Sequence, residues 1–205
     1  MNATHRHVSS TRLSLTLWAS NLTLTPAAVA IDVKVYHIAT GQLLFAGTPF
    51  PAFIAQANRS TSGCDDFVID LDEAGGEWDT VAVAYLMERD SEDQTRKTLA
   101  RAMSWPQPLR YCPIQPDPAG LEITVGVEKA GRREVMVKSN VPVKGLVLEA
   151  PVDGDSDVKR EVDFSDNGFD VVPGDAISVS MKNYIGGELT AWWLNKHLNL
   201  ECERE

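Results

Sequence analysis

The chain has 205 residues, of which 43% are hydrophobic and 23% charged, and its formal net charge at pH 7 is −10. This composition excludes a disordered chain, and the length excludes an ordinary (β/α)8 barrel, which needs about 250 residues. The negative charge argues against nucleic acid and against an anionic membrane as partners, because both present phosphate groups that this chain would repel.

Alternation of apolar and polar residues with a period of two recurs along the chain, most clearly at residues 13–19 and 28–37. Such alternation is typical of half-buried β-strands. Further runs lie at residues 41–46, 66–71, 78–87, 97–103, 121–127, 133–138, 143–148, 158–164, 176–181 and 189–194. Turn residues separate the runs, and no convincing amphipathic helix is present. About a dozen short strands predict an all-β chain built of antiparallel β-sandwiches.

The distribution of proline marks a domain boundary. Five of the 11 prolines lie between Pro106 and Pro118, where they remove backbone donors and favour an extended path. The halves on either side are each the size of one immunoglobulin-like sandwich. We therefore predict two tandem immunoglobulin-like β-sandwich domains, divided as a disordered tail at 1–10, a first sandwich at 11–104, a proline-rich linker at 105–118 and a second sandwich at 119–200.

Motifs for catalysis, metal binding or cofactor binding are not found. The chain has no Gly-x-Ser-x-Gly elbow, no glycine-rich phosphate loop and no Cys-x-x-Cys pair. Asp153, Asp155 and Asp157 resemble the start of a calcium loop, but Val158 and Phe164 stand where that loop needs glycine and glutamate. The sequence predicts no catalytic residue, no metal site and no cofactor, and an acidic turn at 153–157.

The most specific local pattern is the segment 165–175, S-D-N-G-F-D-V-V-P-G-D. An Asx turn, a glycine with positive φ and a type II Pro-Gly turn fit this segment. Phe169 and Val171 are expected to point inward and Asp170 outward. The pattern predicts a structural sandwich corner built on Asp166, Asn167, Gly168, Pro173 and Gly174.

Three tryptophans are candidates for contact with a sugar or with another domain. Trp192 and Trp193 are adjacent on a predicted strand, so one should face the core and the other the outside. The outer indole could stack on a sugar ring or contact a neighbouring domain, and the enrichment of aromatic residues at interfaces favours domain contact. Trp105, in the proline-rich segment, is expected at the junction between the two sandwiches.

Five segments together resemble a known family. W-P-Q-P-L-R-Y at 105–111, P-V-K-G-L-V-L-E at 142–149 and the segment 165–175 are similar to the C-terminal region of fungal β-mannosidases of glycoside hydrolase family 2, most closely the intracellular B-type enzymes. L-W-A-S-N-L-T-L at 17–24 and V-A-I-D-V-K-V-Y-H-I-A-T-G at 29–41 resemble the sandwich that follows the catalytic barrel in that family. The resemblance covers nearly the whole chain from about residue 11.

The resemblance implies a layout of jelly roll, immunoglobulin-like domain, catalytic barrel and two further immunoglobulin-like domains, of which this chain matches the last two. The catalytic glutamates of the family lie on the barrel, so the resemblance assigns no catalytic residue here. It implies a non-catalytic accessory region, a fragment or a truncated gene product, of an enzyme that hydrolyses terminal non-reducing β-D-mannose with retention. The expected partner is that barrel, and the apolar surface left exposed without it predicts weak self-association.

Two alternatives remain open at this point: a carbohydrate-binding module for mannosides and an adhesion-type immunoglobulin-like module. An odd number of cysteines, three, without close spacing favours reduced thiols and a cytoplasmic location. The sequons at Asn2, Asn21 and Asn58 matter only under the alternative of secretion.

Overall fold

The computed structural model describes residues 1–9, 12–48, 51–71, 78–88, 97–151 and 162–196, with the backbone alone at residues 2, 5–7, 9 and 63–66. The chain divides into two compact units. Unit 1 comprises residues 1–38 and 42–113, and unit 2 comprises residues 39–41 and 114–205. Regular structure in the described residues consists of β-strands and one short 3-10 helix at Leu109–Tyr111. The predicted fold class, all-β with two immunoglobulin-like sandwiches, is confirmed.

The strands of unit 1 are β1 (Asn2–Ser9), β2 (Arg12–Asn21), β3 (Ala27–His37), β4 (Leu43–Gly47), β5 (Phe53–Ala55), β6 (Arg59–Asp70), β7 (Thr80–Glu88) and β8 (Thr98–Ser104). The strands of unit 2 are β9 (Glu122–Val125), β10 (Arg132–Lys138), β11 (Val143–Glu149), β12 (Asp163–Phe164), β13 (Phe169–Val171), β14 (Ile177–Lys182) and β15 (Thr190–Trp192). All named strand pairs are antiparallel.

Unit 1 is a sandwich of two sheets, one in the order β1-β2-β6 and the other in the order β4-β3-β7-β8, with β5 beside β3. Alternate residues of β2 and β3 point into one core, as the period-two pattern predicts. Leu13, Leu15 and Leu17 of β2 are each 0% exposed and belong to the same apolar cluster as Ile31 and Val35 of β3. Burial of these aliphatic side chains is the main stabilising term for this unit.

The predicted disordered tail at residues 1–10 is wrong over residues 2–9, which form β1. This strand pairs with β2 from Asn2 opposite Trp18 to Ser9 opposite Arg12, with a register shift after His7. A strand at the edge of a sheet is held by backbone hydrogen bonds, which any side chain permits. Residues 1–10 are polar in composition and therefore gave no strand signal, although the edge of β2 provides backbone groups with which they pair.

The proline-rich segment is also not a simple linker, because the two units meet in the sequence between residues 113 and 114. Residues 105–113 belong to unit 1, where Trp105 is 7% and Cys112 6% exposed. The 3-10 helix that precedes Cys112 is closed by a hydrogen bond from Cys112 N to Leu109 O. Proline content favoured an extended path, but the segment contains a 3-10 helix, and its residues up to 113 belong to unit 1.

Unit 2 is a smaller sandwich with one sheet in the order β12-β14-β10-β9 and another in the order β13-β11-β15. Its core joins Val135 and Val137 of β10 to Val179 and Met181 of β14 and to Leu146 of β11, all at 0% exposure. Most of the run predicted at 158–164 and the acidic turn at 153–157 lie outside the described residues. Over the described ranges, no helix is long and apolar enough to cross a membrane.

Candidate functional site

The sandwich corner at 165–175 is fixed to β11 by the side chain of Asn167. Asn167 Oδ1 accepts a hydrogen bond from Leu148 N at 2.7 Å, and Asn167 Nδ2 donates to Leu148 O at 3.0 Å. One amide side chain thus satisfies both backbone groups of Leu148, as a neighbouring strand would. Gly168 follows with φ of 77° and donates from its N–H to Leu146 O.

Asp170 does not point out to water as the alternation suggested. Its carboxylate accepts hydrogen bonds from Lys144 Nζ at 2.9 Å and from Gly145 N at 2.7 Å, and its side chain is only 13% exposed. Gly145 has φ of 63°, a conformation that favours glycine. The carboxylate thereby secures a break in the regular pairing of β11 with β13, where the register shifts between Val143 and Leu146.

The Pro173–Gly174 turn closes on a hydrogen bond from Asp175 N to Val172 O. Gly174 has φ of 70°, the value that the third position of a type II turn requires. Phe169 is 8% and Val171 0% exposed, so both belong to the core of unit 2. The whole segment therefore has a structural role that its own contacts explain.

Trp192 is the last residue of β15 and Trp193 follows it, and both indole rings lie beside Lys196. Trp193 packs against the core of unit 2, and its buried Nε1 has no hydrogen-bond partner among the described residues. Trp192 donates from Nε1 to Glu149 Oε2 at 2.7 Å. Lys196 Nζ lies 4.5 Å from the ring centroid of Trp192 and 4.6 Å from that of Trp193. A sugar ring stacking on the Lys196 side of either indole would have to displace this ammonium group.

Trp105 and Cys112 are buried residues of the segment that ends unit 1. Because Trp105 is 7% exposed, its ring does not offer a surface for a sugar. The pKa of the Cys112 thiol is raised above its usual value of 9.0, first by burial and then by the negative charge of Asp79. A raised pKa keeps this thiol protonated and unreactive near neutral pH.

The turn between β2 and β3, residues 21–26, is called here the leucine loop, and Asn21 holds it rigidly. Asn21 Nδ2 donates to Thr25 O and to Ala55 O, each at 2.9 Å. Asn21 Oδ1 accepts from Thr23 N at 2.9 Å and from Thr23 Oγ1 at 2.7 Å. Both donors and the acceptor of this amide are therefore engaged within the fold.

The same loop exposes two large apolar side chains. Leu22 and Leu24 are each 84% exposed, and Ile54 of β5, which pairs with the start of β3, is 48% exposed. Asn58 N donates to Thr23 O, which ties the β5–β6 turn to the loop as well. A rigid loop that holds two leucines out in water is typical of a contact surface rather than of a solvated turn.

A small polar cavity of about 150 Å³ opens at one end of unit 2. We call it the arginine pocket. Arg133 is one of its lining residues, with its Nη2 atom 3.6 Å from Glu128 Oε2 and its Cζ atom 5.5 Å from the ring centroid of Tyr184. The pocket is lined by Glu128, Gly131, Arg132, Arg133, Met181, Asn183 and Tyr184.

Sequence reasoning missed both of these surfaces. One signal in the sequence does point to the arginine pocket: Arg133 precedes Val135 and Val137 at intervals of two and so shares their inward-facing side of β10. A charged residue in an apolar row is a reason to look for a partner. No comparable signal marks the leucine loop, where two leucines alternate with polar residues as they would on a strand.

Metal ligation finds no support within the described ranges, which contain no group of three or more His, Cys, Asp or Glu residues that could hold an ion. The calcium-like residues Asp153, Asp155 and Asp157 lie outside those ranges.

Comparison with known proteins finds similarity to β-mannosidases. Residues 14–111 match the family model described as "Mannosidase Ig/CBM-like domain". The chain is 31% identical over 171 residues to "Beta-mannosidase B" of Thermothelomyces thermophilus, an alignment that covers 83% of this chain and 18% of that protein. "Beta-mannosidase B" of Aspergillus clavatus is 31% identical over 90 residues, covering 44% of this chain and 10% of that protein.

Solved structures share the fold. The β-D-mannosidase of Dictyoglomus thermophilum superposes with a TM-score of 0.65 at 14% identity, over 94% of this chain and 21% of that one. An exo-chitosanase of Amycolatopsis orientalis gives a TM-score of 0.55 at 14% identity, over 89% of this chain and 24% of that one. The chain thus spans less than a fifth of the length of the curated relatives it matches. It resembles a partial, C-terminal region of a β-mannosidase, and the similarity to the family model is confined to residues 14–111.

Proposed function

We propose that the chain is a non-catalytic accessory region of a β-mannosidase of glycoside hydrolase family 2, whose other domains hydrolyse terminal non-reducing β-D-mannose with retention. The observation that carries the proposal is the alignment with "Beta-mannosidase B", which covers most of this chain but only 18% of the relative. The interior of both units is occupied by packed aliphatic side chains, and the segments with specific sequence patterns serve the fold. The chemistry is accordingly assigned to the part of the enzyme that this chain does not match.

The accessory role is to support the remainder of the enzyme through the leucine loop. Leu22 and Leu24 offer apolar area at a fixed position, and the hydrogen bonds of Asn21 mean that little entropy is lost when the loop is covered. The occupant is the remaining four fifths of a β-mannosidase polypeptide, which is the part of the relative that the alignment leaves without a counterpart. Without that occupant, the same leucines promote weak self-association.

A binding experiment tests this role. The probe is "Beta-mannosidase B" of Thermothelomyces thermophilus lacking the 171-residue segment that aligns with this chain. The intact chain should bind the probe, and the L22S/L24S variant should bind at least about tenfold more weakly, since two exposed leucines contribute roughly 1.5–3 kcal/mol each when fully buried. The matched control is L43S/L99S, which removes two leucines exposed at 50% and 42% elsewhere on unit 1. Equal binding by the two double variants would refute the role of the loop.

An activity assay tests the non-catalytic assignment separately. The purified chain is incubated with an aryl β-mannoside, and we expect no turnover above the blank. Turnover that disappears when a carboxylate of this chain is replaced by the amide would overturn the assignment. The two experiments fail independently, because an inactive chain can still lack the docking surface.

We also propose a cytoplasmic location. The sequon at Asn21 supports it, because a glycan on Nδ2 would remove at least one of the two hydrogen bonds that hold the leucine loop. Expression through a secretory host gives the test. If Asn21 is glycosylated and the product is folded and as stable as the unmodified chain, the argument from Asn21 is wrong.

A further inference from the structure

The arginine pocket contains more hydrogen-bond donors than the fold uses. The guanidinium group of Arg133 makes no hydrogen bond within the described part of the chain, and its buried Nε atom has no partner there. Its nearest carboxylate, Glu128 Oε2, is 3.6 Å from Nη2, which is beyond hydrogen-bond distance. The side chains of Arg132 and Asn183 likewise form no hydrogen bond with any described residue. Three donor side chains therefore line one cavity that holds a single carboxylate, that of Glu128, at ion-pair distance from Arg133.

Such an arrangement is costly unless a ligand completes it. The side chain of Arg133 is only 33% exposed, and a partly desolvated guanidinium without an acceptor loses hydration that nothing replaces. Its position on β10 is fixed by the pairing of Arg133 with Met181 on β14. The face of Tyr184 offers a cation–π contact, but an aromatic ring does not satisfy N–H donors in their own plane. The buried Nε atom of Arg133 thus lacks an acceptor, which the carboxylate of a ligand would supply.

Charge and size restrict what that acceptor can be. Arg132 and Arg133 against Glu128 give the pocket a formal charge of +1, within a chain whose net charge is −10. A planar guanidinium pairs with a carboxylate through two parallel hydrogen bonds. Sites for drug-sized ligands begin at roughly 300 Å³. The cavity of about 150 Å³ is half that size and therefore admits one small ligand.

The remaining lining residues indicate the chemical class of that ligand. Glu128 is 54% exposed and can accept hydrogen bonds from hydroxyl groups, whereas the amide of Asn183 can donate or accept. The ring of Tyr184 presents an apolar face, and its hydroxyl donates to Gly187 O, which fixes the ring in place. Hydroxyl partners beside an aromatic face and a cationic end suit a sugar that carries a carboxylate.

We propose that the arginine pocket binds a single sugar acid, a hexuronate, with its carboxylate on the guanidinium of Arg133 and its hydroxyl groups on Glu128 and Asn183. Arg132 adds a second positive charge at the mouth of the pocket. This site is in unit 2, apart from residues 14–111, and it does not depend on the accessory role proposed above.

Titration of the full chain with sodium D-glucuronate tests the proposal, with the Nε–H resonance of Arg133 as the readout in an arginine-labelled sample at constant ionic strength. We expect a saturable shift with a dissociation constant of about 1 mM, as suits one small ligand. D-Glucose has the same ring without the carboxylate and should bind at least about tenfold more weakly.

Variants locate the site. R133Q should weaken glucuronate binding, followed by intrinsic fluorescence or calorimetry, at least about tenfold, and R133K should do so severalfold, because lysine keeps the charge but loses the planar fork. The matched control is K138Q, which removes one positive charge from the same strand at a residue that pairs with Glu122 outside the pocket. K138Q should bind as the unchanged chain does. No saturable shift at tens of millimolar, equal binding of glucose and glucuronate, or unchanged binding by R133Q would each overturn the proposal.

Discussion

The two units achieve the same sandwich architecture by different means. In unit 1 the strands are long, with 10 residues in β2, 11 in β3 and 12 in β6, and their inward faces are aliphatic. In unit 2 the longest strands, β10 and β11, have seven residues, and β12 has two. Short strands form few ladder hydrogen bonds, and polar side chains supply what is missing. Asn167 pairs with Leu148, and Asp170 with Lys144 and Gly145.

A single substitution should therefore lower the stability of the two units for different reasons. In unit 1 the sensitive positions are aliphatic, because removing a buried side chain leaves a cavity between long strands. In unit 2 the sensitive positions include polar residues, because their removal leaves buried backbone groups without partners. Substitution of a buried leucine tests this contrast in unit 1, and substitution of a polar corner residue tests it in unit 2.

The largest effect is expected from Leu15→Ala in unit 1. Leu15 is 0% exposed in the centre of β2, so its truncation should lower the free energy of unfolding by about 3 kcal/mol through lost burial and a cavity. Leu22→Ala is the matched control, because it removes the same atoms from a side chain that is 84% exposed and should change stability by less than about 0.5 kcal/mol. Denaturant unfolding gives both values, and hydrogen exchange should show the loss in peptides of unit 1. Similar losses for both variants would contradict the proposed aliphatic basis of unit 1.

A smaller effect is expected from Asn167→Ala in unit 2. The change leaves Leu148 N and Leu148 O without partners and should lower the free energy of unfolding by about 2 kcal/mol, although Asn167 itself is exposed. The control is Asp166→Ala, the neighbouring substitution, which removes one local hydrogen bond to Asn167 N and should cost less than about 1 kcal/mol. Hydrogen exchange at Leu148 should accelerate in the first variant alone. If Asp166→Ala proves the more damaging, the polar basis of unit 2 is wrong.

Local patterns predicted the parts of this fold that depend on local geometry. Period-two alternation identified β2, with Leu13, Leu15 and Leu17 on one buried face. These properties follow from the backbone geometry of a strand and need no knowledge of its neighbours.

The missed features all depend on partners that are distant in the sequence. β1 was concealed because its pairing with β2 uses backbone groups, and the burial of Trp105 was concealed by the prolines around it. The Asn167–Leu148 contact spans 19 residues of sequence. The arginine pocket brings Arg133 on β10 together with Tyr184, which follows β14. Such contacts are fixed by strand register, which one sequence without its fold does not specify.

The smallest expected effect concerns the one thiol that the structure describes, Cys112 in unit 1. Burial and the charge of Asp79 raise its pKa in the folded state above the usual value of 9.0, which the thiol regains on unfolding. The unfolded chain therefore loses this proton at a lower pH than the folded chain. Stability is fully present below about pH 9 and decreases as the pH rises through 9 toward the folded pKa, because ionisation then favours the unfolded state.

The test compares the free energy of unfolding at pH 8 and pH 10 in a background where Cys64 and Cys202 are replaced by alanine. The chain that retains Cys112 should lose more stability over this interval than the same chain with Cys112→Ala, because the unfolded thiol ionises at a lower pH than the folded one. The loss should appear in hydrogen exchange of unit 1, where Cys112 is buried. An equal alkaline loss with and without Cys112 would show that the thiol does not couple to folding. A loss confined to unit 2 would instead assign the alkaline sensitivity to the polar contacts of that unit. The two units would then differ in their response to pH as well as in the length of their strands.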